Sequence, residues 1–253
     1  MSRPLGDPVA EAQGIVEAAT ARGLTLRIVG GVAVALRAPS IARVSPERTY
    51  HDIDLAGRGG RSADVARLLG DLGYAAAERF NKLNGAERLL FHAPDGRRLD
   101  VFFDRLRMCH ELPFRARLET EPLTLPLADL LLSKLQIVEL TERDEQDILA
   151  LLADHPLAAS DDGGIATPRL AAVCAADWGW WRTVDLNLER LTARWSAAAL
   201  AEPATLSETR LRALQRADEL RQELAAAPKS AAWRLRAAVG ERLRWYELPE
   251  EPR

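Results

Sequence analysis

Two segments alternate so strictly that they leave little choice of fold. In TYHDIDLA (49–56) and RRLDVFFD (97–104), successive residues belong on opposite faces of a strand. His51, Ile53 and Leu55 share one side of the first segment, and Tyr50, Asp52 and Asp54 the other. In the second, Leu99, Val101 and Phe103 make an apolar face, while Asp100, Phe102 and Asp104 lie opposite. If the two strands are neighbours, their apolar faces pack inward together. Asp52, Asp54 and Asp100 then gather on the accessible side.

The rest of the chain supplies what such a sheet needs. RLLFHA (88–93), PDG and 97–104 read as a hairpin by their turn chemistry. LTLRIV (24–29) reads as a short strand stopped by Gly30 and Gly31, with a helix over 32–38 limited by Pro39. Amphipathic spacing predicts helices over 8–22, ended by Gly23, and over 62–73, with Ser62 as its cap. PLADLLLSKLQIVEL (126–140) and ERDEQDILALLAD (142–154) read as two further helices, the second ended by His155-Pro156. DDGG (161–164) marks a boundary. Beyond it only helix-like segments follow, with all six tryptophans. The expected class is α+β: a small mixed sheet covered by helices (1–157), then an α-helical region (165–253).

A chain of 253 residues can bury a sizeable core. Its net charge of −3 argues against a surface that coats nucleic acid, though not against a local basic groove. No apolar run approaches the roughly 20 residues that span a bilayer, so no membrane is expected. MSRPLGDPVAEAQG has no apolar signal core, and Cys109 and Cys174 show no metal-ligand spacing. A cytoplasmic protein with reduced thiols is the expectation.

Carboxylates held close repel one another unless a cation lies among them. Magnesium prefers oxygen ligands and commonly joins a few carboxylates to substrate phosphate. Two such ions can stabilise the attacking and leaving oxygens at a phosphorus centre. The competing reading is a solvated pair on the polar face of an edge strand. Asp104 rivals Asp100 for the third position, but the two lie about 13 Å apart along an extended strand at ~3.3 Å per residue. Gly30-Gly31, between a strand and a helix, adds exposed N–H groups that attract phosphate. An ordinary strand-to-helix turn would look the same.

Taken together, IVGGVAVALRA, ERTYHDIDL and RRLDVFFD resemble the nucleotidyltransferase superfamily related to DNA polymerase β. Within it they are most similar to bacterial GG-type members, among them aminoglycoside nucleotidyltransferases and AbiEii-type toxins. The resemblance covers roughly residues 24–154. It implies two Mg2+ ions and a nucleoside triphosphate such as ATP. Gly30 and Gly31 would hold the triphosphate, Asp52 and Asp54 both metals, and Asp100 the metal nearer the acceptor. Many members have Gly-Ser where this chain has Gly30-Gly31, and the interval from Gly31 to Asp52 is longer than in compact members.

Lys134 falls inside the apolar stripe of Leu127, Leu131 and Val138. A lysine there must snorkel out, meet a carboxylate or meet a phosphate. One reading pairs it with Asp144 or Asp147 of the next helix, and the other sends it to the triphosphate. Arg48 is a further candidate for phosphate. His51 reads as a packed or hydrogen-bonded histidine, and His92 and His110 show no partner spacing. Core packing is expected for most of the tryptophans, although Trp178, Trp180 and Trp181 could stack on a base or sugar. The expected reaction transfers a nucleoside monophosphate to an acceptor hydroxyl on a small molecule, a tRNA or a protein. A non-catalytic nucleotide-binding module and a toxin–antitoxin component are the alternatives.

Overall fold

A computed structural model describes residues 7–199 and 203–248. The first helix, α1 (Pro8–Ala21), starts where the Asp7 side chain accepts from the Val9 N–H at 3.1 Å, with Pro8 in its first turn. It ends before Gly23, whose φ of +65° suits a residue without a Cβ. Ala12, Ile15, Val16 and Ala19 form its buried stripe. Next come β1 (Leu26–Val29), α2 (Gly30–Arg37), α3 (Ile41–Val44), β2 (Asp52–Gly57), α4 (Ser62–Asp71), β3 (Ala75–Ala76), α5 (Glu78–Asn84), β4 (Arg88–His92) and β5 (Arg98–Phe103).

These strands form one five-stranded sheet in the order β1-β2-β5-β4-β3. Only β2 and β5 run parallel; the other neighbours are antiparallel. β4 and β5 make the expected hairpin. The inward residues Ile28, Leu55, Val101 and Leu89 occupy one continuous rung and are buried. Helices α1 and α4 pack with this sheet, and Ile53, Leu99 and Phe103 complete its apolar side.

The chain continues through a small hairpin, β6 (Arg105–Arg107) and β7 (Glu111–Pro113), to α6 (Leu127–Leu135) and α7 (Glu142–Asp154). Short parallel strands β8 (Leu157–Ala158) and β9 (Ile165–Ala166) then enclose the DDGG segment. The last four helices are α8 (Thr167–Ala176), α9 (Trp178–Ala199), α10 (Ala204–Ala226) and α11 (Ala231–Val239). Helix α10 packs along α7 and α9, and α8 and α9 rest on α6. The apolar core runs without interruption from the sheet into these helices. The architecture is the expected α+β class, a small mixed sheet followed by a helical region.

Several details differ from expectation. Ser62 is the first helical residue of α4 and not its cap; Arg61 stands at the cap, and its Nε reaches Asp64 at 2.6 Å. The helix expected over 126–140 stops at Leu135. Asn187 of α9 explains the stop, because its Nδ2 donates to the carbonyls of Leu135 (2.9 Å) and Ile137 (2.8 Å). Val138 is therefore not helical, and its N–H points to Cys109 Sγ at 3.5 Å. The β3–α5 unit and the β6–β7 hairpin have too few residues for their periodicity to show in the sequence. The region after DDGG is not wholly helical, since β9 precedes α8. Residues 1–6 of the opening stretch lie outside the described residues. No helix among the described residues is long and apolar enough to cross a membrane.

Candidate functional site

The polar face of the sheet carries three rungs. Val29, Asp54, Asp100 and Leu90 form one; Asp52, Arg98 and His92 form the next; Arg27, Ala56, Phe102 and Arg88 lie on the far side. The parallel pairing of β2 with β5 sets Asp54 directly beside Asp100. Asp100 is almost fully buried, Asp54 half-buried and Asp52 exposed.

The two inner carboxylates have different surroundings. Arg88 Nε donates to Asp100 Oδ1 at 2.8 Å, and Arg98 Nη2 to Oδ2 at 3.1 Å. Two guanidiniums therefore balance Asp100. Asp54 makes no side-chain hydrogen bond or ion pair among the described residues. Burial first, then the neighbouring Asp100 charge, pushes its carboxyl from the usual carboxylate range to about 7. Lys134 opposes that rise, while Asp52 adds to it.

Gly30 makes this approach possible. Its φ is +67°, and a Cβ there would lie 2.3 Å from Asp54 Oδ2. The positive φ and this close approach both favour a residue without a Cβ at the start of α2. No side chain caps α2. Beside it, a Cβ on Gly31 would meet Arg48 Nη2 at 3.0 Å.

Arg48 and Lys134 meet on one acid, Asp147 of α7. Arg48 Nη2 is 2.8 Å from Oδ1 and 3.0 Å from Oδ2; Lys134 Nζ is 2.9 Å from Oδ2. Lys134 also reaches Asp144 Oδ1 at 3.0 Å, and Asp144 closes a capping box with Thr141 at the start of α7. Burial works against the Lys134 charge, but Asp147 and Asp144 outweigh it and hold its pKa above the ordinary lysine value. The ion-pair reading of Lys134 is thus the one its contacts satisfy.

All seven residues singled out in the sequence (Gly30, Gly31, Arg48, Asp52, Asp54, Asp100 and Lys134) fall at this end of the sheet or on the helices beside it. Asp104 does not join them. It leaves β5 with φ +62° and accepts from Gly59 N (2.9 Å) and Arg115 Nη1 (3.0 Å). His51 is hydrogen-bonded to Thr49 at 3.0 Å. Trp178, Trp180 and Trp195 are buried. Arg88 and Arg98 are the site residues the sequence reading missed. Arg98 was legible, because it stands two residues before Asp100 on the same face. Arg88 needed the hairpin register.

Among the described residues no three carboxylate, imidazole or thiol groups are close enough together to enclose a metal ion. In donor type the residues still fit a hard divalent cation: Asp52 and Asp54 offer oxygens without bound partners, and Asp54 is repelled by Asp100. Both oxygens of Asp100 are already held by Arg88 and Arg98, so it would join them only by giving up one of those contacts.

No protein-family model matches this chain, and no curated protein does. Among solved structures, it is similar to the solution structure of the antibiotic-resistance factor ANT(2'')-Ia at a TM-score of 0.37. The identity is 16%, over 55% of this chain and 79% of that one. That overlap is too slight to carry an argument about this chain.

Proposed function

We propose that the chain is a metal-dependent nucleotidyltransferase. An acceptor hydroxyl would attack the α-phosphorus of a nucleoside triphosphate, and pyrophosphate would leave. The observation that carries this reading is the half-buried Asp54 carboxylate, unpaired, set beside Asp100 and against the glycine-led start of α2. A half-buried acid without a partner can be answered by a cation, and an uncapped helix start beside it by an anion. A magnesium-bound triphosphate answers both demands at one place.

Asp52 and Asp54 would hold Mg2+, with Asp100 as the third ligand. The ions, when bound, compensate charge on the attacking and leaving oxygens. The chain's own residues supply position. The N–H groups of Gly30 and Gly31 receive phosphate oxygens. Arg48 and Lys134, anchored on Asp147, add positive charge beside them without being free to swing.

Asp52 is exposed, so Asp52→Ala should leave the fold intact and reduce pyrophosphate release at least about a hundredfold. Purified protein incubated with labelled triphosphates, Mg2+ and a panel of hydroxylated acceptors would measure it. Full activity in that variant refutes the assignment. One observation favours a second reading: Arg88 and Arg98 already neutralise Asp100. A nucleotide-binding module without catalysis would use that arrangement as it stands, and would bind Mg-ATP without releasing pyrophosphate.

A further inference from the structure

We propose that the cavity bordering the carboxylates receives the acceptor, and that the acceptor is a phosphorylated, hydroxyl-bearing sugar and not a polycation. Its role as an acceptor site rests on the nucleotidyl-transfer reading. Its preference for phosphate rests on its own lining.

The cavity has a volume of about 360 Å³ and is lined by Glu78, Arg79, Phe80, Leu90, His92 and Arg98. None of Asp52, Asp54 and Asp100 lines it, but its strand residues stand on the same rungs of the sheet as they do. Leu90 belongs to the rung of Asp54 and Asp100, and Arg98 and His92 to the rung of Asp52. The Arg88 guanidinium, which holds Asp100, also lies over the Phe80 ring, 5.6 Å from its centroid. A molecule seated here would therefore lie against the carboxylate face.

The polar groups of the lining are mostly donors. Arg79 and His92 make no ion pair or side-chain hydrogen bond among the described residues. Arg98 gives Nη2 to Asp100, but its Nε is buried with no partner. That Nε has almost no accessible surface, so what Arg98 offers a ligand is the exposed remainder of its guanidinium. Glu78 is the lone acid of the lining. A polyamine would thus meet two guanidiniums and one carboxylate. A phosphate would meet donors from Arg79, Arg98 and His92, and guanidiniums hold phosphate oxygens through charge-assisted hydrogen bonds. Phe80 and Leu90 supply an apolar wall for the ligand's carbon skeleton.

A cavity of this size takes a free sugar phosphate whole, or the terminal nucleotide of a nucleic-acid chain. The shared chemistry is a ribose-sized phosphate ester. The test is isothermal titration of the full chain, without triphosphate, using ribose 5-phosphate, ribose, kanamycin and an octamer of uridylate. Ribose 5-phosphate should bind at least tenfold more tightly than ribose or kanamycin. Arg79→Ala should remove about tenfold of that affinity, and Arg79→Lys should restore part of it. If the octamer binds with the same dependence on Arg79 and ribose 5-phosphate does not, the phosphate source is a chain end. Equal affinity for ribose and ribose 5-phosphate, tighter binding of kanamycin, or indifference to Arg79→Ala would each overturn the proposal. Titration of the wild-type chain with ATP and Mg2+ tests the nucleotidyl-transfer reading separately. Ribose 5-phosphate binding that depends on Arg79, in a chain that ignores Mg-ATP, would keep the phosphate site and remove its role as acceptor site.

Discussion

The open face of the sheet and the seam beneath the C-terminal helices both hold polar groups out of water, but they treat them in opposite ways. In the seam every buried carboxylate has at least one cationic or N–H partner, although Arg48 Nε there is as unused as Arg98 Nε on the open face. Asp147 has Lys134 and Arg48, Asp129 has Arg117 and Arg169, and Glu145 accepts from the Trp195 indole. His110 shares a hydrogen bond with Thr183 and stacks on Trp180. On the open face, Asp54 has no partner, and Arg98 keeps an unused buried donor. Burial of charge is common to both regions, so burial does not mark a site. What separates the two regions is a carboxylate with no partner at all, Asp54, because an unanswered acid is one that a cation can satisfy.

The contrast is broken most forcefully at Asp147. Asp147→Ala leaves Lys134 and Arg48 near each other with no shared acid, in a buried setting. Removing one member of such a cluster costs about 3–5 kcal/mol, and urea unfolding should show a loss of that size. A loss below about 1 kcal/mol would mean that water or the remaining Asp144 pair answers the cations, and the seam would be less closed than its contacts indicate.

The sheet was legible for a physical reason. A period of two, repeated over TYHDIDLA and RRLDVFFD, admits one inward set, and Ile53, Leu55, Leu99, Val101 and Phe103 are all buried. The same alternation put Asp52, Asp54 and Asp100 on one face. It could not show what answers each carboxylate. Arg88 reaches Asp100 across the hairpin, and the pairing of Arg48 with Asp147 joins residues 99 positions apart. The cavity beside α5 was also hidden. It depends on α5, a seven-residue helix with no buried residue to give it a period. The early end of α6 depends on Asn187, a residue of a different helix. What the sequence concealed is mostly tertiary pairing.

A pH series sharpens the comparison on the seam side. Burial lowers the His110 imidazole from 6.5 to about 4, with Asp177 pulling weakly the other way. The folded state therefore holds it neutral over a range where the unfolded chain binds a proton. Nothing is lost above pH 6.5; the penalty grows as pH falls from there and is complete near pH 4. Allowing for partial solvent access, it should reach on the order of 2 kcal/mol. His110→Gln should remove that component, so its stability should fall less than wild type between pH 7 and pH 4.5. Parallel slopes would show that His110 titrates as freely in the folded chain as in the unfolded one.

The smallest effect has the opposite sign. If Asp54 is truly unanswered, its charge costs the metal-free protein stability. Its pKa rises from 3.8 to about 7 on folding, so the cost is present at pH 8 and fades toward pH 4. Asp54→Asn keeps the shape and removes the repulsion from Asp100. Discounted for partial exposure, the gain at pH 8 in a chelator should be about 1 kcal/mol. The same variant should lose magnesium-dependent ATP binding, since it removes the acid proposed to hold the ion. A gain in stability with a loss of binding is the signature of a residue retained for a ligand. A loss of stability on the scale of Asp147→Ala would instead place Asp54 within the Lys134 cluster. The open face would then be another closed seam.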